Sequence, residues 1–197
     1  MSMQNVIVPG GNFPPPSQST SPLLAFRCTP AIRPYLEEDI SVNTSAAILI
    51  DAQVVYYEIA NAESIQLSSD DTTIDVTVSW NGTILASGSV PLNATAYELP
   101  FSLEGIPPQM VAHDLSCEAT YGVTSEMFSA KTSLYVLPNP TDSSVTKMDL
   151  RTGTLLAKPA NGSGGPYESV FPIGFYTQFD DYLATNLSVI NELKDQG

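Results

Sequence analysis

Several things are scarce in this sequence at once. Its 197 residues include seven Lys and Arg, one His, two Cys and one Trp. Seven basic side chains against 21 acidic ones leave a net charge of −14. Nucleic acid and anionic membrane surfaces both require clustered Lys and Arg, so neither is expected as a partner. No stretch approaches the ~20 apolar residues of a membrane-spanning helix. With His113 as the one histidine and its two cysteines far apart, the chain cannot assemble a four-ligand zinc site. Nucleotide-binding glycine fingerprints, H-E-x-x-H and G-x-S-x-G are missing too. Gly162-Ser163-Gly164-Gly165 has a phosphate loop's composition without its Lys or following helix. No cofactor and no metal are expected. The opening MSMQNVIVPGGNFPPPSQSTSP has neither the basic start nor the apolar run of a signal peptide.

What is present is apolar and β-forming. Hydrophobic residues make up 43% of the chain and charged ones only 14%, which fits a globular domain and not an acidic disordered tail. Asn-X-Ser/Thr sequons occur at Asn43, Asn81, Asn93, Asn161 and Asn186, where roughly two would arise by chance. They read either as glycosylation acceptors of a secreted protein or as a by-product of Ser/Thr-rich loops. Cys28 and Cys117 read as one disulfide in an oxidising compartment, or as two separate small buried thiols. Together these features predict an extracellular protein whose export signal lies outside this chain. A leaderless cytosolic protein with bare sequons and reduced thiols is the other reading.

Residues 1–22, with Pro14-Pro15-Pro16, predict a disordered leader. Residues 23–138 have a β pattern. Ala46–Tyr57 is rich in Ile, Val and Tyr. Thr73–Trp80 alternates, with Ile74, Val76, Val78 and Trp80 on one face. Asn81-Gly82 follows at once and predicts a tight hairpin into Thr83–Val90. Strands near Ala96–Leu103, Gln109–Tyr121 and Glu126–Leu137 complete the expected architecture, a mainly β, antiparallel Ig-like β-sandwich. Trp80 reads as a core plug more readily than as a ligand-stacking ring.

Residues 139–169 predict a linker with a short β-hairpin. In residues 170–197, Val170–Tyr176 predicts a buried strand and Asp180–Gln196 a helix, capped by Asp180 or Asp181 and stopped by Gly197. A lone strand and helix cannot form a parallel sheet, so this segment is expected to open a second domain that continues past Gly197.

VFPIGFYTQFDDYLATNLSVINELKDQG resembles the first strand and first helix of a glycosidase-type (β/α)8 barrel. With AFRCTPAIRPYLEED, LPNPT and KMDLRTGTLLAKP upstream, the chain is similar to the N-terminal part of secreted, fungal-type glycoside-hydrolase-like proteins. The resemblance implies a β-sandwich followed by a truncated TIM-barrel start, acting on or near polysaccharide or cell-wall glycan. In such barrels a pair of carboxylates on later strands, about 5–9 Å apart, does the chemistry. No residue here matches either, so this chain alone is expected to be inactive, although its parent protein is a candidate hydrolase. Tyr176 and Thr177, at the exit of the first strand, are expected on the substrate face; alternatively, Phe175 and Tyr176 fill the barrel wall. The competing reading of the whole chain is a stand-alone extracellular Ig-like interaction domain.

Other constellations carry less. Glu37-Glu38-Asp39 and Asp70-Asp71 lack the spacing of an EF-hand and read as solvated turns, or else as a loosely built Ca²⁺ site. His113 beside Asp114 has no nucleophile motif to accompany it. Tyr56-Tyr57 is not expected to form a two-ring sugar platform, because alternation turns only one ring outward.

Overall fold

The computed structural model describes residues 16–41, 46–122, 125–142, 145–159, 164–172 and 179–196. The chain divides into two compact units, one of residues 1–143 with Asp149–Gly153, the other of residues 144–148 and 154–197.

The first unit is built from strands β1 (Gln18–Pro30), β2 (Tyr35–Leu36), β3 (Ala46–Tyr57), β4 (Ala62–Ser64), β5 (Thr73–Trp80), β6 (Thr83–Pro91), β7 (Tyr97–Phe101), β8 (His113–Tyr121), β9 (Glu126–Leu134) and β10 (Val136–Leu137). One helical turn, α1 (Glu37–Ser41), follows β2. Two four-stranded sheets, ordered β4-β1-β3-β7 and β6-β5-β8-β9, are antiparallel throughout. Their inner faces share one core. Leu24, Phe26, Ile48 and Ile50 come from the first sheet, and Ile74, Val76, Val78, Ala119 and Tyr121 from the second. Period-2 alternation puts these side chains on one side of each sheet and leaves Asp75 and Thr77 on the other.

The disulfide joins Cys28 of β1 to Cys117 of β8, crossing from sheet to sheet inside the core. By the chain-entropy argument, closing a loop of 89 residues removes about 4–5 kcal/mol of conformational freedom from the unfolded chain. The hairpin at Asn81-Gly82 forms as expected, both residues at positive φ (48° and 78°). One extra residue bulges from β6 between Ala86 and Ile84, opposite Val78 and Ser79. Gly88 faces inward, and a Cβ there would lie 2.9 Å from Leu99 Cδ2, so a larger residue would require the end of that leucine side chain to shift.

Two expectations change in this unit and a third holds in part. The first strand begins at Gln18, upstream of Leu23. Trp80 packs against the core as expected but is only half-buried, because it is the last residue of β5, where its ring meets His113 edge-on at 5.1 Å. Tyr56 and Tyr57 are both about half exposed. The end of β3 outruns regular pairing there, the register with β1 shifting between Gln18 and Leu23, so strict alternation is lost.

The second unit carries β12 (Thr154–Ala157), paired antiparallel with β13 (Glu168–Val170); on the other side of β12 is β11 (Lys147–Asp149), whose first two residues belong to this unit and whose Asp149 belongs to the first. Tyr167 lies under two ammonium groups, Lys147 Nζ at 3.6 Å and Lys158 Nζ at 5.3 Å from its ring centre. Of the buried strand expected over Val170–Tyr176, only Val170 is in a strand, as the last residue of β13. Both it and Phe171 are exposed, because no described residues form a layer packed over this short strand; residues 173–178 lie outside the described residues. The helix expected over Asp180–Gln196 is in two pieces, a π-helical turn at Phe179–Leu183 and α2 (Ser188–Gln196). Asn186 explains the break. Its Oδ1 accepts the Ser188 N–H at 3.1 Å and the Ser188 hydroxyl at 2.7 Å, which starts a new helix instead of continuing the old one.

Candidate functional site

Within the first unit, three strings far apart in sequence meet at one buried polar cluster. The parallel pairing of β2 with β10 sets Leu36 beside Leu137, which brings Asn139 up to the first turn of α1. Glu37 Oε2 accepts the Asn139 backbone N–H at 2.6 Å, and Glu38 Oε1 accepts Asn139 Nδ2–H at 3.1 Å. Asp39 Oδ2 accepts the Leu36 N–H at 2.9 Å, and its Oδ1 forms an ion pair with Arg151 Nη2 at 2.5 Å. Asp149 completes the cluster from the turn that carries Arg151. It accepts the Arg151 N–H and the Thr152 hydroxyl, each at 2.9 Å, and lies 3.5 Å from Arg151 Nε. That local loop is an Asx-type turn closed by Gly153 at φ 70°.

The electrostatics follow from burial. Asp39 is 3% exposed and Asp149 7%. A buried carboxylate is costly unless paired, and one guanidinium faces both. Burial pushes Asp149 up, yet the hydrogen bonds from Arg151 N–H and Thr152 and the Arg151 charge together outweigh it, holding the carboxyl below its ordinary value. Burial raises the Tyr35 phenol, whose hydroxyl pairs with both backbone groups of Ala47. The run Glu37-Glu38-Asp39 is therefore not a solvated turn. Among the described residues, no group of three or more His, Cys, Asp or Glu is placed to hold a metal ion. The arrangement orders backbone, because each carboxylate already faces a donor of the chain itself.

His113 is buried, and both its ring nitrogens face partners. Nε2 lies 2.9 Å from the Pro107 carbonyl and Nδ1 3.3 Å from Gln109 Nε2. Alternation turns Asp114 to the opposite side of β8, so the two do not form a catalytic pair.

The sequence-predicted residues distribute as follows. Cys28 and Cys117 form the bridge. Asn81, Asn93 and Asn186 are exposed, each in or beside a turn. Asn43, Asn161, Tyr176 and Thr177 lie outside the described residues. Shallow grooves formed by described residues mark the surface of the first unit. One of about 440 Å³ includes Tyr56, Leu67 and Asn93; one of about 530 Å³ includes Arg27, Asn61 and Lys131; one of about 310 Å³ includes Asp114, Ser116 and Ser133. No described helix is long and apolar enough to cross a membrane.

Sequence reasoning missed Asn139, Asp149 and Arg151. The available signals were an Asn fixed between two prolines and an Asp-x-Arg-Thr-Gly turn holding one of only three arginines. No protein-family model matches the chain, and comparison with curated proteins gives no match.

Proposed function

We propose that this chain is a non-catalytic accessory region of a secreted glycoside-hydrolase-like protein: an Ig-like β-sandwich that serves as a brace or weak carbohydrate-contact module, ahead of a barrel domain to which residues 170–197 contribute. The strand order supports the Ig-like part. β1, β3 and β7 correspond to strands A, B and E, and β6, β5, β8 and β9 to C′, C, F and G. The bridge departs from the antibody pattern, tying A to F where antibody domains tie B to F. The disulfide and the exposed sequons support an oxidising, extracellular compartment.

The observation that carries the accessory reading is a contrast in burial. The two-sheet unit holds the whole buried apolar core, although its Ile84, Met110, Val111 and Met127 are also more than half exposed. In the other unit none of the described residues is buried, and Phe171, Phe179, Leu187 and Ile190 are each more than half exposed. Such a surface is characteristic of a segment completed by further packing. Two measurements test the reading. Hydrogen exchange should find residues 188–196 far less protected than residues 73–90; equal protection would favour the self-sufficient Ig-like interaction domain. Retention on insoluble β-glucan, chitin or galactan would identify a carbohydrate-contact module, and failure to bind any of them would leave the brace alone.

A further inference from the structure

The groove containing Tyr56 and Leu67 has a sequon on its rim. Asn93 lines it together with Val54, Ser68 and Thr72. Its volume of about 440 Å³ is within the range of small-molecule sites. The Asn93 turn is pinned to β3: Asn93 N–H donates to Ala52 O at 2.8 Å, and Gln53 Nε2 donates to the Asn93 and Ala94 carbonyls and to Thr95 Oγ1. Asn93 sits at φ 63°, and its Oδ1 accepts the Val54 N–H at 3.0 Å. A backbone N–H can only donate, so that contact fixes which end of the amide is the oxygen. Nδ2, the atom that carries an N-linked sugar, is then oriented by the fold. The far wall is also fixed, since the buried Tyr121 hydroxyl accepts the Ser68 N–H and donates to Asp71 O, both at 2.9 Å.

We infer that Asn93 carries an N-linked glycan whose first N-acetylglucosamine lies in this groove, its C–H face on Tyr56 and Leu67 and its polar edge toward Ser68 and Thr72. A pyranose has an apolar face and a hydroxyl-bearing edge, which matches a groove lined by one half-exposed ring and two hydroxyl side chains. Attachment precedes this docking. Nδ2 attacks the anomeric carbon of a polyisoprenyl-diphosphate-linked oligosaccharide, the C–O bond to the diphosphate breaks, and the amide proton passes to the transferase's base. Asn81 is the natural contrast. It stands exposed at a hairpin tip and does not line this groove, so a glycan there stays in solvent.

The inference rests on the secreted reading, and the test separates the two. The full chain is produced in a secreting eukaryotic host, site occupancy is mapped by mass, and enzymatic release of each glycan from the native protein is timed. Release at Asn93 should be about tenfold slower than at Asn81, and the rates should converge on denaturation. Tyr56→Ala, and independently Leu67→Ala, should speed release at Asn93 alone; Tyr57→Ala, outside the groove, should leave it unchanged. A glycan on Asn81 but not Asn93, equal native rates, or indifference to both groove variants overturns the inference and spares the secreted reading. Bare asparagine at both positions overturns both.

Discussion

The two units of this chain both expose some large apolar side chains, but among the described residues only the first encloses a buried core. In the first, Ile74, Ile48, Ile50 and Tyr121 are fully sealed, each on a strand with partners on both sides. In the second, β12 and β13 are four and three residues long, and a pair that short has too little face to cover Phe171, at 88% exposure. Hydrophobic content therefore does not by itself decide burial. What decides it is whether neighbouring strands supply a second layer, and the disulfide reinforces the unit that already has one.

The sharpest way to break this comparison is to remove the bridge. Cys28→Ser with Cys117→Ser should destabilise the two-sheet unit by about 4–5 kcal/mol in denaturant unfolding, with no change in hydrogen exchange over residues 188–196. Equal loosening of both regions would show that they unfold together. Ile74→Ala should cost the same unit about 3 kcal/mol, because it leaves a cavity between two sheets that cannot collapse onto it.

Next in size is the polar cluster. Arg151→Ala strands the Asp39 carboxylate at 4% side-chain exposure, and should cost about 2–3 kcal/mol. Arg151→Lys keeps the charge but loses the planar fork that reaches Asp39 and Asp149 together, so it should recover only part of the loss. Acid acts on the same cluster with a smaller effect. The Asp149 carboxyl is held below its ordinary value in the fold, so the unfolded chain binds the proton more readily. Its contribution is fully present above the unfolded value near ~3.9 and is lost as pH falls through the lowered folded value. Asp149→Asn should flatten that acid limb of the stability profile; an unchanged slope would mean that Asp149 is not held low.

These effects differ in how far the sequence foreshadowed them. The core face of β5 and the Asn81-Gly82 hairpin were readable because alternation and turn chemistry are local, and a strand of eight residues gives several repeats of the pattern. Trp80 takes the expected core face but is only half-buried, because alternation tells which face a residue takes but not how fully the strand end is covered. The break before α2 was missed because Thr185-Asn186-Leu187-Ser188 satisfies the apolar helical period while its polar side chains compete for the backbone. The cluster of Glu37, Glu38, Asn139 and Arg151 was not legible, since its partners lie about a hundred residues apart and only the β2–β10 register brings them together.

The smallest expected effect is also the most pointed. Ile190→Ala removes three heavy atoms, as Ile74→Ala does, but from a side chain that is 51% exposed. Its cost to this chain should stay within about 0.5 kcal/mol, because little surface returns to water and no cavity forms. A loss of 2 kcal/mol or more, of the order expected at Ile74, would mean that α2 has found a covering layer within this chain. The contrast between the units would then be one of degree, and the case for a larger folded body around residues 170–197 would lose its support.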